Sequence, residues 1–582
     1  VLLPTALESL PPWRGGDTPP RSNPAGADAL LLTLPARAFN HEAFRQGTLP
    51  FWNPRVACGT PHLAMIQNHA LYPLTAPLDL LDPLESIDHG AWVHLALAGA
   101  LMYAFLARSG LSSGAALVGG LAFELNGFFL TRLSVPSYLY SGTWLPLMLL
   151  GARELAAGAP RRAAWMLPAG VALSALGGHP QVTVMAVALA FTYGLWRAVA
   201  APSGRGRLVI RLALLVGLGL ALAGLALVPF AQLVRHTARG AVPLERYRHA
   251  ATPVAALVQA LVPDVFGHPV DGTYWLGARA TLLDGVPAAE RPWGLNAIGQ
   301  NLYTGVAALG LALCAVLRAR RPREVAFFAL AALAAWCVLF GTPLLDLAWA
   351  VLPGFRHSRP DRIAFVFMAA VSVLAGYGCE RPPEEPLSRG RRGVAVAAAV
   401  LGVLLAWTVL APAVSADGRT GLSRFVGEAV AAWRADAANL LAQATLAAVA
   451  LAAVVGLAGR PPASWRTAAL AALVVGPNLI FGWRFNPAQE TPRPGHTAVE
   501  RTLKEAAPLR MARVLRRDPL FLPPNLPQLV GVSDAQGASA AALGPFLQLV
   551  RAADPAAVVS DKYFLAFRDP SVLQTPLLRL LS

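Results

Sequence analysis

The sequence predicts an all-α polytopic membrane protein, a bundle of about twelve transmembrane helices followed by an α/β soluble domain. Three observations carry that prediction. Hydrophobic residues make up 55% of the chain and charged residues only 14%, with a mean hydropathy of +0.50. A soluble chain of this length covers its surface with roughly 25% charged residues. Apolar runs of membrane-crossing length, about 17–25 residues, recur along the chain. Arginines concentrate in alternate connections between those runs, the asymmetry that orients a multi-pass protein.

Residues 1–87 are rich in proline and glycine and contain no clean span. Apolar runs then follow at 88–107, 114–131, 138–152, 163–178, 182–199, 208–233, 299–317, 324–341, 362–379, 394–413, 441–459 and 465–483. Segments 234–298 and 414–440 are connections without a span, and 484–582 mixes polar and apolar residues in the manner of a soluble domain. Arg108, Arg153, Arg161, Arg162, Arg197, Arg205, Arg318, Arg321, Arg391 and Arg466 fall in one set of connections. The opposite short loops carry fewer: Arg132, Arg356, Arg359, Arg362, Arg419, Arg424 and Arg434. The first set is expected on the cytoplasmic side, which puts 1–87, 234–298 and 484–582 outside. The start at Val1 and the stop in "LLRLLS" read as a trimmed sequence.

Composition also excludes. The net charge is +16, almost all of it from arginine, with lysine only at Lys504 and Lys562. No basic stretch is interleaved with aromatics as a nucleic-acid surface would be. Of four cysteines, Cys314, Cys337 and Cys379 fall in or at the ends of apolar runs, and Cys58 stands alone. No CxxC or Cys/His cluster occurs, so neither disulfide nor zinc site is expected, and no cofactor motif is evident.

Several stretches, in order, resemble one family. They are "ADALLLTLPARAF", "GTLPFWNPRVACGTPHLAMIQNHALYPL", "LAGALMYAFLARSGLSSGAALVGGLAFELNGFFLTRL", "LSALGGHPQVTV", "QLVRHTAR", "GQNLYTGVAALGLAL" and "LPGFRHSRPDRIAFVFMAAVSVLAGYG". The set is similar to the bacterial YfhO-type membrane glycosyltransferases of the GT-C superfamily, and "LPPNLPQLVGVSDAQG" resembles the start of that family's external domain. Against that pattern the first transmembrane helix is absent and the external domain is cut short. The resemblance implies a GT-C-like bundle in the bacterial cytoplasmic (inner) membrane. It implies transfer of a sugar from a polyprenyl-phosphate donor to a cell-envelope glycan or glycolipid on the outer face. An acidic residue of the first external loop would be the base; Asp28 matches that position, with Asp17 in the same loop as its competitor.

Such a reaction needs a carboxylate to take the acceptor's proton and cations or donors to stabilise the departing phosphate. Asp28 offers the first; without the resemblance it reads as a helix N-cap. For the phosphate, "FRHSRPDR" supplies Arg356, His357, Arg359 and Arg362, whose guanidinium forks suit phosphate oxygens. Interfacial anchoring of a helix start explains them equally well. Arg235 and Arg239 of "QLVRHTAR" form a weaker second cluster that could snorkel to headgroups. Trp52, Asn53, His179 and Gln181 are candidate sugar or acceptor ligands; an interfacial belt and a structural hydrogen bond are their ordinary explanations. Glu124 is a carboxylate inside an apolar run, expected to be buried against Asn126 or His94. It is the main support for the competing reading, a secondary transporter or lipid-linked-oligosaccharide flippase. The absence of an internal repeat and the crowding of polar features into external loops favour the enzyme over both the transporter and an inactive scaffold.

Overall fold

The structure is a computed structural model that describes residues 22–237, 240–252, 254–271, 297–317, 321–380, 418–458, 463–487, 498–505, 510–512, 524–538, 542–559 and 563–574. Many of the helices open where the sequence supplies a proline at the first turn or a capping side chain, because the first-turn N–H groups lack intrahelical partners. Asp82 caps α2 (Pro83–Arg108) by accepting from the Leu84 amide, Ser112 caps α3 (Ser113–Glu124), and Asn126 caps the short α4 (Gly127–Leu130). Then come α5 (Pro136–Gly142), α6 (Leu145–Ala156), α7 (Pro160–Leu176), α8 (Pro180–Val199), α9 (Arg205–Leu222) and α10 (Gly224–Arg235). The second half holds α11 (Val306–Leu317), α12 (Pro322–Leu339), α13 (Ala364–Cys379), α14 (Gly418–Ala458) and α15 (Ser464–Phe485).

Among the described residues, seven helices are long and apolar enough to cross a membrane, or eight with the α9–α10 pair, which bends by 74°. The protein is a multi-pass membrane protein. The expected spans differ from this in identifiable places. Run 138–152 is two helices, α5 and α6, broken at Thr143–Trp144 before Pro146. Run 299–317 becomes regular helix for its apolar stretch only at Val306. Run 208–233 breaks at Ala223, which ends α9 and begins α10 ahead of Gly224 and Pro229. Run 394–413 lies outside the described residues.

The bundle packs around α13, every residue of which is buried, with α3, α11 and α12 as neighbours. Small residues make this possible: a Cβ at Gly378 would lie 1.8 Å from the Leu311 carbonyl oxygen, so the α11 backbone occupies the space of a side chain. Glu124, at the end of α3, is half-buried, and its carboxyl uses a similar niche; a Cβ at Gly99 of α2 would sit 2.3 Å from Oε2. Neither expected partner is available to it. His94 is bonded to the Tyr72 hydroxyl and the Gly90 carbonyl, and Asn126 is occupied as a cap.

Residues 22–82 fold back over one end of this bundle. Their helix, α1 (Leu34–Arg45), is fastened by a buried ion pair: Arg37 Nη1 donates to Asp79 Oδ1 at 2.7 Å, with side chains 1% and 0% exposed. Asp79 also accepts from Asn40 at 3.0 Å and Ser86 at 2.9 Å, and Arg37 reaches the Tyr140 hydroxyl of α5 at 3.3 Å. Leu30, Leu34, Leu84, Ile87 and Leu526 form an apolar cluster beside it. The C-terminal segment adds a two-stranded parallel pair, β1 (Arg510–Met511) with β2 (Ser533–Asp534). A three-stranded antiparallel sheet follows, ordered β3 (Gly537–Ala538), β5 (Tyr563–Ala566), β4 (Val558–Val559), with helix α16 (Gly544–Ala553). It docks on the first loop through Asp534 N to the Arg55 carbonyl at 2.8 Å and Asn525 Nδ2 to the Leu31 carbonyl at 2.9 Å.

Removing one member of a buried pair strands the other charge, at a cost of about 3–5 kcal/mol. Arg37→Met or Asp79→Leu is therefore expected to lower the thermal midpoint in detergent sharply, and the double replacement less than either alone. Equal losses in all three variants would mean that the pair does not fasten the loop.

Candidate active site

Beneath the folded-back loop lies a cavity of about 690 Å³. Its walls come from three places: the first loop and α1, the loop-side ends of α5, α8 and α10 with the turn before α13, and the C-terminal segment.

The bundle wall is cationic and is organised on one ring. Pro136 starts α5, and Tyr138 enters the wall two residues later. The Arg132 guanidinium lies 5.3 Å from the Tyr138 ring centroid and that of Arg362 also 5.3 Å. The His179 imidazole stacks on the same ring at 3.9 Å. Arg132 is 1% exposed, donates to the Phe128 carbonyl and the Thr131 hydroxyl, and leaves Nε without a hydrogen-bond partner. No carboxylate pairs with it among the described residues. Burial pushes its pKa down to about 10, partly relieved by the nearby Asp361 charge, so it stays cationic at neutral pH. Arg359 is held by the buried Asp361, Nη2 to Oδ2 at 2.9 Å. Three guanidinium groups thus share a wall with one carboxylate.

The sequence-identified residues distribute unevenly over this geometry. Asp28, Asn53, His179, Gln181, His357, Arg359 and Arg362 all line the cavity. Asp28 is half-buried and stands just before a single π-helical turn (Ala29–Thr33), where it makes no side-chain capping bond, so the N-cap explanation does not account for it. Two candidate ligands serve instead as fasteners. Gln181 donates to the Arg359 carbonyl at 2.8 Å and accepts from Arg362 at 3.1 Å, setting the arginines in place. Asn53 accepts from the Arg55 amide and donates to Gln528 Oε1 at 2.9 Å, tying the loop to the C-terminal segment. His179 caps α8 by accepting from the Val182 amide.

Other candidates sit elsewhere. Arg356 is exposed, stacked on Trp349 at 4.8 Å and bonded to the Ala350 carbonyl. Trp52 lies over Gly59, where any Cβ would strike the indole and where the φ of +117° also favours glycine. Arg235 ends α10 and is exposed; Arg239 and Asp17 lie outside the described residues. Arg132 was missed because its short loop reads as mere topology, although a lone arginine between two apolar runs was a usable signal. Tyr138 and Ser137 carried no signal, and His62, Gln67, His69 and Gln528 lay within the stretches of family resemblance without standing out as site residues. Among the described residues no group of three or more His, Cys, Asp or Glu side chains is placed to hold a metal ion.

No family model and no curated protein matches the chain. Two solved structures are loosely similar. The crystal structure of ArnT from Cupriavidus metallidurans bound to undecaprenyl phosphate aligns over 87% of this chain and 82% of its own, at 14% identity and TM-score 0.41. The Archaeoglobus fulgidus oligosaccharyltransferase in the apo form aligns over 87% of this chain and 56% of its own, at 11% identity and TM-score 0.37.

His62 makes the fold acid-sensitive. Burial lowers its pKa to about 3, against about 6.5 in an unfolded chain. Between those values the unfolded state binds the extra proton, so stability present above pH 6.5 is lost as the pH falls towards 3. Thermal midpoints in detergent should drop between pH 7.5 and pH 5, with a shallower drop for His62→Gln. An identical drop in the variant would assign the acid sensitivity to other groups.

Proposed function

We propose that the protein is a GT-C-type glycosyltransferase that moves a sugar from a polyprenyl-phosphate-linked donor to a hydroxyl acceptor at the extracytoplasmic face of the membrane. The observation that carries this reading is a single cavity lined by one carboxylate from the first loop and by an arginine-rich wall from the bundle.

In the proposed reaction the acceptor hydroxyl oxygen bonds to the anomeric carbon as the bond from that carbon to the phosphate oxygen breaks. Asp28 takes the hydroxyl proton, and the electron pair leaves with the polyprenyl phosphate. General-base help of this kind contributes about 10²–10⁴-fold. The charge growing on the phosphate is met by Arg132, Arg359 and Arg362, with His357 at the rim. Guanidinium groups give a fixed fork of donors there, and burial strengthens each bond. Val184, Phe230, Leu233 and Val234 of α8 and α10 make part of the lining apolar, as a prenyl chain arriving from the bilayer requires. The 74° bend between α9 and α10 is what brings these α10 residues alongside the cavity.

Asp28→Asn should lower transfer about 10²–10⁴-fold with donor binding retained. Arg132→Ala and Arg362→Ala should weaken undecaprenyl phosphate binding, lysine rescuing only in part because it lacks the fork, while Arg356→Ala behaves as wild type. Transfer by Asp28→Asn at the wild-type rate would sink the reading. The expected orientation has its own check in a background lacking the native cysteines. An impermeant maleimide applied to whole cells should label Leu49→Cys and spare Ser203→Cys, and the reverse pattern would invert the topology.

A further inference from the structure

The reading above leaves the acceptor open, and the cavity's second half bears on it. We propose that the wall built by the first loop and the C-terminal segment is an acceptor subsite for an uncharged carbohydrate. This inference rests on the glycosyltransferase reading and narrows it.

The first loop contributes Thr33, Thr60, His62, Gln67, Asn68 and His69 to this half, and the C-terminal segment contributes Asn525 and Gln528. Among the described lining residues of these two segments, Asp28 is the one charged side chain, whereas the guanidinium groups all belong to the opposite wall. Both imidazoles are neutral at physiological pH, because burial drives the His62 pKa to about 3 and pushes that of His69 well below its ordinary value. The His62 tautomer follows from its neighbour. Asn40 gives its NH2 to the Asp79 carboxylate and the Asn68 carbonyl, so its Oδ1 must accept from His62 Nε2 at 2.9 Å. Nδ1 of that ring is left as an acceptor.

Hydrogen-bonding capacity remains on this wall. The Gln67 amide makes no hydrogen bond among the described residues. Gln528 accepts from Asn53 with its oxygen, which leaves its NH2 as a donor. His69 Nε2 is buried and makes no well-formed hydrogen bond, the polar neighbour of its ring being the Gly177 backbone. Buried polar atoms are normally satisfied, so orphans beside a cavity mark where a ligand's polar groups belong. Amides and neutral imidazoles each offer a donor or an acceptor, which matches vicinal hydroxyls that do both. A phosphorylated acceptor would instead bring its charge against Asp28 with no cation on that wall. The C-terminal segment is fixed over this wall by Asn53–Gln528 and by the Gly544 amide to the His236 carbonyl at 2.8 Å.

The test uses the full chain in lipid nanodiscs and saturation-transfer NMR. The probes are maltotriose and chitotriose, a glycerol phosphate oligomer and a serine-containing peptide, with undecaprenyl phosphate binding measured in parallel. The neutral trisaccharides should bind. Gln67→Ala and Gln528→Glu, the latter keeping the acceptor for Asn53, should each weaken them about 5-fold, the loss of roughly one hydrogen bond. Undecaprenyl phosphate binding should hold within about 2-fold. Preference for the phosphate oligomer or the peptide, no trisaccharide binding, or trisaccharide binding unchanged in both variants would overturn the inference. If undecaprenyl phosphate binds and no trisaccharide does, only the acceptor assignment fails; if undecaprenyl phosphate does not bind, the transferase reading itself fails.

Discussion

The buried pair of Arg37 and Asp79 is the constraint on which the rest of the site depends. The first loop packs on the bundle end through apolar residues such as Leu30, Leu34 and Tyr72. Apolar packing tolerates sliding, and the position is fixed by a charge pair that is 1% and 0% exposed, with Asn40, Ser86 and Tyr140 completing its hydrogen bonds. A buried pair adds little net stability over an apolar substitute, but it tolerates few geometries. That intolerance suits a loop that carries the carboxylate proposed as base. Asp28 lies nine residues before Arg37, joined to it by one π-helical turn and the start of α1, so fixing Arg37 fixes where Asp28 can stand.

The cavity then inherits an electrical polarity from its construction. One half comes from the bundle end, where Tyr138 gathers Arg132, Arg362 and His179 around a single ring. The other half comes from segments that bring amides and neutral imidazoles. Cations on one side and uncharged donors on the other suit a reaction in which negative charge accumulates on only one of two partners. The fasteners within each half are themselves polar side chains. Gln181 and Asn53 face the cavity, yet both spend their hydrogen bonds on positioning other parts of the protein.

Beneath the site, α13 supplies rigidity. It is buried along its whole length, and glycine lets the α11 backbone come within contact of it. Arg359, Asp361 and Arg362 precede this helix in the turn Pro360–Ile363 and around it, so the guanidinium groups of Arg359 and Arg362 are mounted at the start of a helix buried along its whole length. By contrast α10, beyond the 74° bend, keeps only Ala226 and Leu233 buried. An apolar helix with so little protein around it is suited to lipid contact.

The sequence by itself determined the multi-pass helical class and the order of most spans, because hydropathy over about 20 residues is a local property that the bilayer reads directly. The family resemblance, more than any local pattern, singled out Asp28, and the external cluster Arg356, His357, Arg359 and Arg362 stood out as charges placed where an apolar chain keeps few of them. Tertiary structure alone decided which polar residues share a cavity. Arg356 and Arg359 are three positions apart and look alike in sequence, yet one stacks on Trp349 in the open and the other pairs with buried Asp361. Arg132 looked like a topology marker and became the most enclosed cation of the site, and Trp52, readable as an interfacial-belt residue or a sugar platform, packs over Gly59. The role of a polar side chain depends on partners tens or hundreds of residues away. Asn53 with Gln528 and Gln181 with Arg362 are pairs that no local pattern encodes.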